Sequence, residues 1–163
     1  MTRVIDAPVD VVWEVFTDLS GRVAWLSEVE RVVRQDSPRP DQARWRQWRV
    51  LVDRDGAPST VVDEDLVLTT VEPGRTCTVA LAASVASDEL AYVFTPIRTG
   101  PRRGGTAVTA LVRRRPARFS HRVLGFMVGT FAARTAEGAL RAELAALARA
   151  CHGRVGTGTR TAA

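Results

Sequence analysis

The spacing of apolar residues along the chain changes twice. The first residues, 2–5, are predicted to form a short strand. The next apolar residues recur at helical spacing, at Val9, Val12, Phe16 and Leu19. Pro8 is tolerated in the first turn of such a helix, and Ser20 is typical of the start of a second one. We therefore predict a strand and two short helices, the second carrying Val23, Trp25 and Leu26.

Between residues 29 and 113 the apolar period falls to two, which is the period of a β-strand. Six strand-like runs follow one another, at 29–35, 43–52, 60–71, 75–85, 89–97 and 107–113. Turn-forming sequences separate them, among them Asp55-Gly56, Glu72-Pro73-Gly74 and Gly104-Gly105. Because these breaks are too short for crossover helices, the strands are predicted to form an antiparallel sheet.

After Pro116 the helical period returns and persists to about Arg149. Its apolar stripe consists of Phe119, Val123, Phe126, Thr130, Ala133, Leu140, Leu144 and Leu147, while Arg134, Glu137 and Arg141 form a solvated face. A single long helix buries such a stripe by lying across the concave face of a curved sheet. Since a curved sheet and a straight helix do not touch along their whole length, we expect a cavity between them.

Length and composition fit one domain. A chain of 163 residues suits a single core, which we place at residues 1–150, with a disordered tail at 151–163. No apolar run approaches the roughly 20 residues that cross a bilayer. The N-terminus also lacks the apolar core of a signal peptide, so a cytoplasmic location is expected. Cys77 and Cys151 are then predicted to be free thiols.

The charge pattern narrows the chemistry. The net charge is +5 and all 23 basic residues are arginine, so no lysine is present to bind a phosphate loop or form a Schiff base. Aromatic residues do not interleave with the arginines as stacking platforms would, and nucleic acid is not an expected partner. His121 and His152 lie far apart without other ligands at metal-binding spacing. We predict no metal and no cofactor.

Several short motifs resemble the SRPBCC superfamily of START-like domains, which includes the birch-pollen allergens. In the N-terminal segment 5–26 they are Ala7-Pro8, Val12-Trp13, Thr17-Asp18 and Trp25. The run 71–75 (Val-Glu-Pro-Gly-Arg) resembles the family's acidic-proline turn, and 92–96 followed by 104–106 resembles its penultimate hairpin. The resemblance covers about residues 2–150. It implies an α+β helix-grip fold, in which a curved antiparallel sheet of about seven strands wraps around the long C-terminal helix.

The resemblance also implies a class of ligand. Members of the superfamily carry lipids, sterols or plant metabolites, assist chaperones, or cyclise and dehydrate polyketides. The chain is most similar to the polyketide cyclase/dehydrase and lipid-transport branch. It is expected to bind a hydrophobic or polyketide-like molecule, either as a cofactor-free cyclase or dehydratase or as a non-catalytic carrier or sensor. An interaction module remains the third possibility if large side chains fill the cavity, and a monomer and a homodimer are both open.

Glu64 is the first candidate for catalysis. Alternation places it on one face of its strand with Val62, Leu66 and Leu68, and it places Asp63 and Asp65 on the other. The face with two aspartates is the better solvent face, so Glu64 is predicted to point into the cavity. A carboxylate there serves as a general acid or base, or it forms an ion pair with an arginine of a neighbouring strand.

The orientation of the preceding strand is ambiguous. Either Arg44, Arg46, Trp48 and Val50 point inward, or Trp45, Gln47, Arg49 and Leu51 do. We favour Arg46 and Trp48 inward, because Trp48, Val50 and Val52 make the longer apolar set. Arg46 would then hold an enolate or carboxylate of a ligand, or pair with Glu64, and Trp48 would line the cavity.

The remaining candidates are mostly aromatic. Tyr92 is the third catalytic candidate, and its hydroxyl needs either the ligand or a backbone carbonyl as partner. Phe94 lies on the same strand face. By resemblance Trp25 closes the cavity mouth, although it equally fits helix-to-sheet packing. The cavity floor is assigned to Phe126, Thr130 and Ala133, where small side chains leave space for a ligand or allow close packing on the sheet.

Overall fold

The structure, a computed structural model, describes residues 1–37, 42–52, 58–82, 87–114 and 125–158. Its strands are β1 (Thr2–Ile5), β2 (Val29–Gln35), β3 (Arg44–Val52), β4 (Pro58–Glu72), β5 (Thr76–Ala82), β6 (Ser87–Pro96) and β7 (Thr106–Arg114). Its helices are α1 (Val9–Thr17), a 3₁₀ helix (Ser20–Ala24) and α2 (Gly125–Gly158).

The strands form one antiparallel sheet in the order β1-β7-β6-β5-β4-β3-β2. Each strand from β2 to β6 pairs with the next strand along the chain, and β1 pairs with β7. This curved sheet and the long C-terminal helix make up the predicted helix-grip fold, which is confirmed. The first two strands also begin and end at the predicted residues.

Side-chain alternation defines the inner face of the sheet. Leu66 on β4 lies opposite Trp45 on β3 and Leu81 on β5, and Tyr92 on β6 lies opposite Cys77 and Ala110. The buried inner-face residues of β3 to β7 belong to the core: Trp45, Leu66, Cys77, Val79, Tyr92, Phe94, Val108 and Ala110. Such cross-strand neighbours fix the register, because a slip by one residue would turn every one of them to the outside.

Helix α1 closes one end of the sheet through aromatic packing. Its buried residues are Val12, Val15 and Phe16, followed by Leu19. The Phe16 ring lies 4.5 Å from the Tyr92 ring and 5.3 Å from the Phe94 ring, measured between centroids. Aromatic pairs of this kind each contribute about 0.5–1.5 kcal/mol beyond their burial.

The second short helix differs from its prediction. It is a 3₁₀ helix, and Val23, one of the apolar residues that the predicted helix carries, is 43% exposed. Arg22 is buried instead, at 3% exposure. With three residues per turn, Leu19, Arg22 and Trp25 share one face, so the arginine points towards the core.

The C-terminal helix confirms Leu140, Leu144 and Leu147 as buried stripe residues. It continues past Arg149 to Gly158, because Cys151 repeats the stripe four residues after Leu147 and is fully buried. The helix therefore extends beyond residue 150, where the domain boundary was predicted. The last residues, 159–163, and the predicted stripe positions 119 and 123 lie outside the described residues. In the described part of the chain no helix is long and apolar enough to cross a membrane.

Two glycines test how closely the backbone packs. A Cβ atom on Gly105, at the start of β7, would lie 2.9 Å from the carbonyl oxygen of Ile5 and 3.1 Å from that of Arg102. Backbone oxygens cannot rotate away, so Gly105→Ala is expected to lower the free energy of unfolding by about 1–3 kcal/mol.

Gly138 is exposed on α2 with no atom within 4 Å of a Cβ. Gly138→Ala should raise stability by about 0.5–1 kcal/mol in urea denaturation, and equal effects would contradict the packing.

Candidate functional site

Strand β3 presents Trp45, Gln47 and Arg49 to the interior. Trp45 is 8% exposed and Gln47 is fully buried. The side chain of Arg49 is 14% exposed. The prediction that Arg46 and Trp48 point inward is therefore wrong, and the alternative orientation holds.

Charges on the outer face of β4 explain this orientation. The register pairs Arg46 with Asp65 and Trp48 with Asp63, the two aspartates assigned to solvent. Arg46 Nε donates to Asp65 Oδ1 at 3.1 Å, and Arg44 also pairs with Asp65. Burial alone would raise the pKa of Asp65, but the two arginines outweigh it and hold that pKa below its usual range. The hydrogen bond to Asp65 in turn raises the pKa of Arg46.

Glu64 lies on the inner face, as predicted. Its Oε2 atom accepts a hydrogen bond from Gln47 Nε2 at 2.7 Å and lies 3.6 Å from Arg49 Nε. Arg49 Nη1 also lies 3.9 Å from Glu28 Oε2. The strand arginine that pairs with Glu64 is thus Arg49, not Arg46.

Tyr92 belongs to a buried polar cluster. Its hydroxyl donates to Glu143 Oε1 at 3.4 Å, and Arg22 Nη2 donates to the same oxygen at 2.8 Å. The side chains of Arg22 and Glu143 are only 4% and 8% exposed. Burial, and then the charge of Glu143, raises the pKa of Tyr92 well above its ordinary value. The phenol is therefore neutral at physiological pH, and its partner is a carboxylate that the sequence analysis did not consider.

The sequence analysis did not identify Glu143 and Arg22 as members of this cluster, although the spacing of Glu143 indicated that it faces inward. Glu143 lies three residues after Leu140 and four before Leu147, which places a carboxylate on the apolar stripe of α2. Arg22 left a weaker signal, because its inward direction follows only from a 3₁₀ period and not from the α-helical one.

A cavity of about 140 Å³ lies between the sheet and α2. Its described lining consists of Arg49, Glu64, Leu81, Leu90, Val112, Ala139, Leu140 and Glu143. The apolar sheet residues come from β5, β6 and β7, whereas Arg49 and Glu64 come from β3 and β4. The lining is therefore polar where β3 and β4 form it and apolar where β5, β6 and β7 form it. Glu143 reaches the lining from α2.

The other predicted ligand-binding residues do not gather at this cavity. Phe94 is 3% exposed and packs against Trp13 and Phe16. Trp25 lines a separate cavity of about 340 Å³ beside α1 and the end of α2. Trp48 lies on the outer face, where the guanidinium Cζ of Arg31 is 5.0 Å from its ring centroid. The side chains of Phe126, Thr130 and Ala133 lie outside the described residues.

Neither a metal centre nor a reactive thiol is built from the described residues. Among them, no three His, Cys, Asp or Glu side chains come close enough to hold a metal ion. Cys77 and Cys151 are free and buried, as free thiols were predicted to be. Burial raises the pKa of each thiol to about 11, so the nucleophilic thiolate is scarce at neutral pH.

Comparison with known proteins gives one family and a set of similar folds. The sequence profile of the family described as polyketide cyclase/dehydrase and lipid transport matches residues 1–152. No curated protein sequence matches the chain. TTHA0849 from Thermus thermophilus is similar in structure, with 18% identity, a TM-score of 0.71, and coverage of 94% of this chain and 96% of that one.

Two further solved structures have related names. The Zhui aromatase/cyclase from Streptomyces sp. R1128 is 18% identical with a TM-score of 0.66, over 95% of this chain and 93% of that one. The di-domain ARO/CYC StfQ from the steffimycin biosynthetic pathway is 13% identical with a TM-score of 0.65, over 96% of this chain and 51% of that one. At such identities these structures are evidence for the fold alone.

The buried ion pair generates the first prediction about the site. Glu143→Gln keeps the shape of the side chain but leaves Arg22 buried without a counter-charge, so stability should fall by about 3–5 kcal/mol. The matched control is Glu137→Gln on the same helix, which breaks a 3.0 Å pair whose side chains are 60% and 68% exposed. That change should cost less than about 1 kcal/mol. Thermal and urea unfolding measure both, and equal losses would contradict a stabilising buried pair.

Proposed function

The chain belongs to the polyketide cyclase/dehydrase and lipid transport family, and we propose that it binds a hydrophobic or polyketide-like small molecule between its sheet and α2. The observation that carries this proposal is the convergence of Arg49, Glu64 and Glu143 on an otherwise apolar cavity. Such a lining suits a ligand whose carbon skeleton contacts the leucines and whose oxygens meet the charged side chains.

The proposed chemistry is an aldol-type cyclisation or dehydration without a cofactor. Glu64 takes a proton from the carbon between two carbonyls, and Arg49 stabilises the enolate oxygen that forms. The enolate carbon attacks a second carbonyl of the same chain, which makes a carbon–carbon bond and an alkoxide. The protonated Glu64 returns its proton to the alkoxide, and loss of water from the resulting alcohol gives the unsaturated ring.

The other two catalytic candidates take different places in this proposal. Tyr92 donates its hydroxyl to Glu143, so it serves as a positioning residue for that carboxylate. Arg46 lies on the outer face beside Asp65 and has no role in the reaction. The names of the similar aromatase/cyclase structures support the same class of reaction.

One observation favours a non-catalytic carrier as the second candidate. Each charged side chain in the described cavity lining already has a protein partner: Glu64 has Gln47 and Arg49, and Glu143 has Arg22. Groups that are held in this way can serve the fold alone, and the cavity would then store or present an apolar ligand without changing it.

Filling the cavity tests ligand binding. The parent protein should bind the neutral apolar dye Nile red and increase its fluorescence. Ala139 lines the cavity, so Ala139→Phe should occupy the space and weaken dye binding at least about tenfold, because each 1.4 kcal/mol of lost contact costs that factor. Ala142 is exposed on the same helix, and Ala142→Phe is the matched control that should leave binding unchanged. Equal binding by both variants would place the dye elsewhere.

Substitution of Glu64 tests whether the protein catalyses the proposed cyclisation. With a linear poly-β-ketone thioester as substrate, Glu64→Gln should retain binding and lower turnover by about 10²–10⁴-fold, the usual loss for a general acid or base. Asp63→Asn is the control, because it removes the same charge from the outer face of the same strand. Turnover is followed by absorbance of the aromatic product. A parent that binds the polyketone without converting it would favour the carrier, and equal turnover in both variants would remove Glu64 from the reaction.

A further inference from the structure

The arginines at the cavity already have counter-charges within the protein. In the part of its lining that the structure describes, the charged side chains are one arginine, Arg49, and two carboxylates, Glu64 and Glu143. Arg49 lies 3.6 Å from Glu64 Oε2 and 3.9 Å from Glu28 Oε2. The other nearby cation, Arg22, is bound to Glu143 at 2.8 Å. Each of these two arginines therefore has a counter-charge before any ligand arrives.

A carboxylate ligand would find no unpaired cation among these groups. To reach Arg49 it would have to approach Glu64, and two like charges repel each other. It would also have to give up its own hydration without gaining a new ion pair. A neutral oxygen meets neither obstacle.

The described lining does offer a hydrogen bond to a neutral group. Arg49 lines the cavity, and its Nε atom is buried without a hydrogen-bond partner among the described atoms. A buried donor of this kind is costly when its hydrogen bond is left unmade, and a ketone or hydroxyl oxygen can accept that bond without bringing a charge.

We propose that the cavity selects uncharged ketones and alcohols over carboxylates of the same size and shape. The inference rests on the proposed function, because it names the polar end of the ligand that the same cavity takes. It assigns the protein to neutral polyketone-like ligands and not to free fatty acids.

A pair of nearly isosteric probes tests the selection. 2-Acetylnaphthalene and 2-naphthoate share a ring system and differ by a methyl group in place of a charged oxygen. Equilibrium dialysis at pH 7.5 measures both dissociation constants without depending on tryptophan fluorescence. The ketone should bind at least about tenfold more tightly to the parent protein, a difference of 1.4 kcal/mol.

Charge variants then show which group causes the preference. Glu64→Gln leaves Arg49 without its nearer carboxylate, so the ketone-to-carboxylate ratio should fall at least about tenfold, which again corresponds to 1.4 kcal/mol. Glu28→Gln removes the more distant carboxylate and should move the ratio in the same direction by less. Glu137→Gln removes an equal charge from the solvated face of α2 and should leave the ratio unchanged. Thermal melts of each variant show that the fold is retained.

The outcomes separate this inference from the proposed function. Equal or tighter binding of 2-naphthoate by the parent would overturn the charge selection while leaving ligand binding intact. A ratio that Glu64→Gln and Glu28→Gln both leave unchanged would overturn the role of Arg49 and its carboxylates. Failure of both probes and of Nile red to bind would overturn the proposed function itself.

Discussion

The arrangement of the molecule depends on the buried contact of Arg22, Glu143 and Tyr92. Arg22 and Glu143 are 121 positions apart in sequence, and Tyr92 is 51 positions from Glu143. Two charges this deeply buried are tolerated only while they remain paired, because a lone buried ion loses its hydration without compensation. The contact therefore holds the 3₁₀ helix, α2 and β6 in one relative position. That position in turn brings Glu143 to the cavity.

Strand alternation provides the second constraint, since it separates two sets of charges that are adjacent in sequence. On β3 and β4 the outer set is Arg44, Arg46 and Asp65, which pair in partly exposed surroundings and add little to stability. The inner set is Gln47, Arg49 and Glu64. A one-residue change of register would exchange the two sets, so the position of the core leucines also decides which arginine faces the cavity.

Periodicity was enough to predict the strands, the long helix and an antiparallel sheet, and the family resemblance implied the helix-grip fold, but neither predicted every side-chain direction. The strands follow from the period of two, and Glu64 was placed correctly because Asp63 and Asp65 identify the solvent face. The predicted side-chain direction on β3 was wrong, because that prediction compared only the apolar residues on the two faces. Arg46 instead points outward and pairs with Asp65 on the next strand. Glu143 was overlooked on the apolar stripe because its partner, Arg22, depends on a 3₁₀ helix that an α-helical period does not predict. For both Arg46 and Arg22, pairing with a charged residue on another element determined the side-chain direction that local spacing left open.

The same pairing limits what the cavity can recognise. A site that binds an anion commonly contains an arginine without a protein counter-charge, because a guanidinium binds carboxylate and phosphate through two parallel hydrogen bonds. Here Arg49 lies between Glu28 and Glu64, and Arg22 is bound to Glu143. Both arginines are therefore already paired with carboxylates of the protein. In the proposed complex, what remains for a ligand is the hydrogen-bonding capacity of one buried atom of the lining, Arg49 Nε. In the proposed complex, apolar contact with β5, β6 and β7 would supply the binding strength, and the polar residues on β3 and β4 would orient a neutral ligand along those strands.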